Sequence, residues 1–272
     1  AAMLFAQTIS MPLFLEYWDA SFIPLTYIGI AVVVSSITAV FLKIAEKVSL
    51  SRWLWLTVLF IVVITLLLRF ALAIAPSKWL ALFLPIWTQT LINLAVLAFW
   101  TLAAEIFDVR QGKRLFGLLN AGSWLSYVVA GPFTGTFVNL LGTENLYIVI
   151  AVCLLIALFI QGVIIRGMKK HEPQVSESAQ QAQPPLSALF HNRFILLVFG
   201  LAAIWRVAYF VMDAIFYNMT AIQYPNTEDS AIFIGSFFTM VGLLGFITDT
   251  FLTGRIISKY GLWAGLLTTP LA

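Results

Sequence analysis

Residues 79–104 read WLALFLPIWTQTLINLAVLAFWTLAA, a run with no Asp, Glu, Lys or Arg. As a helix rising about 1.5 Å per residue, it is long enough to cross the roughly 30 Å hydrocarbon core of a bilayer. Barrel strands would instead show about ten residues of alternating polarity between turns. Four further stretches, 20–42, 115–143, 145–165 and 230–248, are also free of charge. The chain therefore reads as an all-α, polytopic transmembrane bundle. Its composition agrees: 61% of the 272 residues are hydrophobic and 10% charged, with a mean hydropathy of +0.98. Ordinary soluble domains carry about 25% charged residues. So little charge excludes a soluble enzyme, a nucleic-acid module and a disordered protein, and makes the lipid bilayer the first partner. Cys153 is the single cysteine, so no disulfide or cysteine-rich metal site can form within the chain.

Charged breaks divide the chain into nine segments near 1–17, 22–42, 53–75, 79–103, 115–140, 146–165, 194–218, 231–252 and 261–272. The first starts apolar without a flanking charge and the last is too short to span, so about nine segments of an expected twelve are visible here. Alternate breaks hold Lys43, Lys47 and Arg52, then Arg110, Lys113 and Arg114, then Arg166, Lys169, Lys170 and Arg193, then Arg255 and Lys259. The opposite breaks hold only Lys78. Positive residues stay cytoplasmic, which places the start of segment one and the breaks after segments two, four, six and eight on that side. The net charge of +3 is mostly this orientation signal. No cleavable signal peptide is evident, and the chain starts with Ala.

Residues 166–192, RGMKKHEPQVSESAQQAQPPLSALFHN, are polar and Gln/Ser-rich. Such a stretch buries too little apolar surface to order itself and reads as a linker. The expected layout is a six-helix half over 1–166, a cytoplasmic linker over 167–192, and the start of a second half over 193–272. Six spans, a long linker and a renewed set of spans resemble the major facilitator architecture; an unrelated nine-helix bundle is the alternative.

In such folds the substrate site lies near mid-membrane between the halves, so polar residues at mid-span are the informative ones. Arg206, in the middle of segment seven, costs about 2.5–3.5 kcal/mol to insert and needs a partner, water or ligand there. Asp213 follows two helical turns later on nearly the same face. One reading makes Arg206 an anion-binding group and Asp213 a coupling or substrate-contacting carboxylate in one cavity; the other makes them structural charges. Gln89 and Asn93, spaced i, i+4 beside Thr88 and Thr90, either bind substrate or bridge helices. Gln7 and Glu16 carry a weaker signal. Arg69, near the outer end of segment three, reads as a snorkelling side chain.

Segment five holds Gly131-Pro132-Phe133-Thr134-Gly135. Small residues four apart permit close helix approach and the proline bends the helix; the string partly resembles the fifth-span antiporter motif of major facilitator exchangers. Gly254-Arg255-Ile256-Ile257-Ser258-Lys259-Tyr260-Gly261 resembles the cytoplasmic basic loop that gates the same fold, with Ser258 in place of an acid. Gly131, Pro132, Gly135, Lys113, Arg114 and Arg255 are thus candidates for a structural or gating role.

The run from Phe99 to Leu118, FWTLAAEIFDVRQGKRLFGL, resembles the junction of the fourth and fifth spans in the ATP:ADP antiporter family, the nucleotide transporters of plastids and intracellular bacteria. The likeness continues through Val211-Met212-Asp213-Ala214-Ile215-Phe216-Tyr217 and from Asp229 to Pro270. It implies the major facilitator fold and a nucleotide-like substrate. The family's lysine after an early proline is missing from Ile23-Pro24-Leu25-Thr26-Tyr27, and Thr88 stands where the family has a glutamate. Its acidic residue in segment seven is matched by Asp213. The resemblance therefore fits a divergent bacterial member.

Two functions are expected from these residues. The first is a secondary transporter working by alternating access on a nucleotide-like or other organic anion, bound by Arg206, Asp213, Gln89, Asn93 and Thr88. The second is a non-transporting, transporter-derived subunit or scaffold of a larger complex. Neither requires a cofactor, and no nucleic-acid partner is expected. An enzyme is not expected, since His171 and His191 both fall in the linker and no metal cluster or nucleophile–base pair stands at mid-span. The membrane is a bacterial inner membrane or an organelle membrane.

Overall fold

A computed structural model describes residues 1–45, 47–107, 109–168 and 193–253, without the side chains of 109–117, 168, 194, 252 and 253. The linker beyond Met168, segment nine, and the expected gating residues Lys113, Arg114 and Arg255 lie outside the described residues or side chains.

The described chain is helical, with no strand among the described residues. Its helices are α1 (Ala2–Leu15), α2 (Ile23–Ala45), α3 (Leu50–Ile74), α4 (Lys78–Ile106), α5 (Val109–Leu141), α6 (Leu146–Met168), α7 (Arg193–Gln223) and α8 (Thr227–Ile247), with a π-helical turn at Thr248–Thr253. Among the described residues, six helical stretches are long and apolar enough to cross a membrane, from Ala20–Ala45 to Thr227–Phe251. The helices overrun the apolar stretches seen in the sequence. α5 already begins at Val109, ahead of the uncharged run at 115, because hydropathy marks only the portion inside hydrocarbon while backbone hydrogen bonds continue into the interface.

Local chemistry sets the ends. Ser77 accepts the Leu80 amide at 3.2 Å to cap α4, and Asn226 accepts the Glu228 amide at 3.0 Å to cap α8. Asp19 accepts the Ser21 amide at 2.8 Å at the start of a 3₁₀ turn, which holds its carboxyl below the usual aspartate range. α5 ends at Gly142, whose φ of 83° favours glycine and whose amide donates to the Val138 carbonyl at 2.8 Å. Within the spans, Thr8, Thr57, Thr65 and Thr90 turn their hydroxyls back onto carbonyls four residues earlier, so these polar groups are satisfied without water.

The core is organised around α1, where ten of fourteen residues are buried. It packs against α4, α6 and α8, while α3 lies on α4 and α6 and α2 lies on α4. Trp87 of α4 is 2% exposed and its indole donates to the Thr65 hydroxyl at 3.2 Å. α5 and α8 form the most extensive pairing, and glycine makes their approach possible. An added Cβ would stand 2.8 Å from the Thr134 side chain at Gly235, 2.6 Å from Tyr127 Cβ at Gly242 and 2.6 Å from the Trp124 ring at Gly245. At Gly131 it would overlap the Thr239 side chain. Gly135 is different, since its nearest neighbour, Ile232, would be at 3.6 Å, an ordinary contact. Of the two small residues in the GPxxG string, only Gly131 is needed for the approach to α8.

Candidate functional site

α1, α2, α4 and α7 surround a polar cavity lined by Gln7, Ser10, Tyr27, Thr88, Gln89 and Asp213, with Met11, Ile30, Pro85 and Tyr217 completing its wall. Thr88 and Asp213 each lie about 15 Å along their helices from the ends at Lys78 and Gln223, which is mid-span. The free volume is ≈ 20 Å³, room for about one water molecule.

Asp213 supplies the charge. The Tyr27 hydroxyl donates to Asp213 Oδ2 at 3.0 Å, and the Tyr27 ring stacks on Phe210 with centroids 4.4 Å apart. Because Phe210 and Asp213 are three residues apart, one residue of α2 holds two successive side chains of the same α7 face. No Lys or Arg reaches ion-pair distance of Asp213 among the described residues. Thr88 is 2% exposed, and its hydroxyl is buried beside the Tyr147 hydroxyl of α6. Gln7 is fixed by the Tyr127 hydroxyl, which donates to its Oε1 at 2.9 Å.

The structure separates the other expected residues from this cavity. Arg206 lies about 10 Å farther along α7 toward its N-terminal end. It is left uncovered by the described chain, with its guanidinium 5.6 Å from the Phe210 ring centroid and 5.9 Å from that of Tyr209, within cation–π range. It has no carboxylate partner among the described residues. Asn93 donates to the Gln89 carbonyl at 2.7 Å, so its amide is partly committed to its own helix. Arg69 donates from Nε to Asn145 Oδ1 at 2.8 Å and stands 3.7 Å from Glu144, an anchor at the α5–α6 turn rather than a site residue.

The two ends of α8 are held by different contacts. Near one end, Thr227 donates to Glu16 Oε2 at 3.2 Å, and Trp18 donates to the Lys78 carbonyl at 2.7 Å. At the other, Asn120 and Trp124 of α5 both donate to Asp249 Oδ2 beyond α8, the indole at 2.8 Å.

Tyr27, Ser10 and Tyr217 were not singled out as site residues by the sequence, and Gln7 carried only a weak signal there. No spacing marks them, because hydroxyls and amides inside spans mostly bond back to their own helix. The family resemblance came closer: the Pro24–Tyr27 stretch, Thr88 and Asp213, the three places it compares, supply Tyr27, Thr88 and Asp213 to one cavity.

A family model described as Major Facilitator Superfamily matches residues 1–271. The chain is 22% identical over 209 residues to ADP,ATP carrier protein 1 of Chlamydia trachomatis serovar D, covering 68% of this chain and 39% of that protein. It is 21% identical over 208 residues to ADP,ATP carrier protein 1 of Chlamydia pneumoniae, covering 68% and 40%. The chain spans about two-fifths of the length of these curated relatives. No solved structure matches it.

Proposed function

The chain belongs to the major facilitator superfamily, and from that premise we propose that this integral membrane protein is a secondary transporter of a nucleotide-like or other organic anion, working by alternating access. The two halves are residues 1–166 and the part beginning at 193, joined by the linker. The observation that carries this reading is the charged pair on α7. Asp213 faces a mid-span cavity without a cationic partner, and Arg206 stands about 10 Å away over two aromatic rings without an anionic one among the described residues. Charges left unpaired at that depth are costly and mark substrate paths.

Arg206 is assigned to the anion, because a guanidinium offers a planar fork of donors to phosphate or carboxylate. Tyr209 and Phe210 beside it offer stacking area to a heteroaromatic base. Gln89, Thr88 and Asn93 provide neutral polar contacts from α4. The similarity to proteins named as ADP,ATP carriers supports a nucleotide-like cargo. A cavity with room for one water fits a closed state, in which cargo enters only after the helices part.

The test is uptake by proteoliposomes containing the full-length protein, with labelled ATP, ADP and a panel of organic anions. Transport of at least one solute is expected, reduced at least tenfold by Arg206→Gln, with Arg206→Lys recovering only part of it. Equal uptake by the wild type and Arg206→Gln would overturn the residue assignment. No uptake of any solute, together with stable association with other subunits, would favour the scaffold reading.

A further inference from the structure

In this closed arrangement the cavity that holds Asp213 does not suit an anion. Among the described residues its one charge is negative, and its other polar lining groups, Gln7, Ser10, Tyr27, Thr88, Gln89 and Tyr217, are neutral oxygen-bearing side chains. At ≈ 20 Å³ it admits one water-sized particle and no part of a nucleotide. Its Asp213 carboxylate has no cationic partner among the described residues, which costs free energy at this depth unless something in the cavity neutralises it.

We propose that this cavity is a binding site for a small monovalent metal cation of sodium's kind, which serves as the coupling ion. Hard cations take oxygen ligands, and the lining residues carry a carboxylate, four hydroxyls and two amides from four helices. A single carboxylate matches a single positive charge, leaving the occupied site neutral in a low-dielectric interior. A divalent ion would leave one positive charge uncompensated beside this single carboxylate. Tyr27 donates its proton to one Asp213 oxygen and so leaves the second for the ion. The site joins α1, α2 and α4 to α7, so an ion bound there bridges helices on either side of the linker. The coupling role rests on the transport reading above; the ion site itself does not.

The test is direct binding of labelled sodium to the purified full-length protein in nanodiscs, with no organic substrate present and with choline replacing sodium at constant ionic strength. Saturable binding in the millimolar range is expected, accompanied by a rise in unfolding temperature. Asp213→Asn should abolish both, and Thr88→Val, which keeps shape and removes one oxygen, should weaken binding about tenfold. Thermal unfolding in choline shows whether each variant is folded; if Asp213→Asn is not, Thr88→Val and Tyr27→Phe carry the comparison. No sodium-specific binding by the wild type, or binding unchanged in folded Thr88→Val and Asp213→Asn, would overturn the proposal. A protein that binds sodium yet transports no nucleotide would leave the ion site intact and overturn the substrate reading instead.

Discussion

Gly131→Ala is the sharpest test of how α5 and α8 are held together. The added methyl would overlap Thr239 Oγ1, meet Thr239 Cβ at 2.9 Å and lie 3.1 Å from the Gly235 carbonyl oxygen. Turning the Thr239 side chain clears only the Oγ1 overlap, at the cost of its 2.8 Å hydrogen bond to the Gly235 carbonyl, because its Cβ is fixed by the backbone. To restore ordinary carbon–carbon separations of about 3.5–4 Å, the helices must move apart by roughly 0.5–1 Å. Overpacking of this kind costs about 1–3 kcal/mol. Replacing a helical glycine by alanine returns up to about 1 kcal/mol, so a control must cancel that gain. Gly135→Ala does so, on the same helix, with Ile232 at an unstrained 3.6 Å. Thermal unfolding of the purified variants in nanodiscs should place Gly131→Ala several degrees below Gly135→Ala, with Gly135→Ala at or slightly above the wild type. Adding Thr239→Gly, which deletes the colliding side chain, should restore part of the loss. A Gly131→Ala protein as stable as Gly135→Ala would refute the close approach.

Three further outcomes follow from the packing. Trp87→Ala, at a residue 2% exposed, should cost about 3–5 kcal/mol, whereas Trp79→Ala, at 73% exposure, should change the unfolding midpoint little. A double-mutant cycle on Arg69 and Glu144 should give a coupling of no more than about 1 kcal/mol, since the carboxylate side is 44% exposed and the ions are 3.7 Å apart. In a Cys153→Ser background carrying Gln89→Cys, the double change Asn120→Ala and Trp124→Phe should speed thiol labelling from the membrane side bearing the basic loops, and Glu16→Gln should speed it from the other; equal effects from both sides would remove these contacts as the closures.

The fold was legible because the absence of charge over twenty or more residues has few physical outcomes. A segment like 79–104 must satisfy its backbone internally, and a helix does so within the segment. Asp213 stands out in the sequence for the same reason, as the lone acid of a span. The division between Asp213 and Arg206 does not. Helical spacing puts them on nearly one face, but only the structure shows that Asp213 lines the cavity and Arg206 does not. The two glycines of the GPxxG string look equivalent in sequence. They differ because Thr239 stands opposite one and Ile232 opposite the other, and that depends on a helix more than ninety residues downstream.

For the transport cycle proposed here, the strength of the closures matters as much as their position. Interhelical hydrogen bonds in membranes average only about 0.6 kcal/mol, because alternative partners are available when they break. The contacts of Asn120 and Trp124 with Asp249, and of Thr227 with Glu16, therefore contribute roughly 1 kcal/mol at either end. Most of the resistance to opening must come from the glycine-lined packing of α5 on α8, which is dispersion and falls steeply with separation. Such a surface resists the first half-ångström and little afterwards. This favours two distinct arrangements over a continuum, with the open one populated at a few per cent or less when the difference is a few kcal/mol. A ligand shifts that balance only by binding one arrangement better than the other. An ion at Asp213, Tyr27 and Thr88 has that property by construction: its oxygen ligands come from both α7 and the helices it packs against, so its full coordination exists only while they are together.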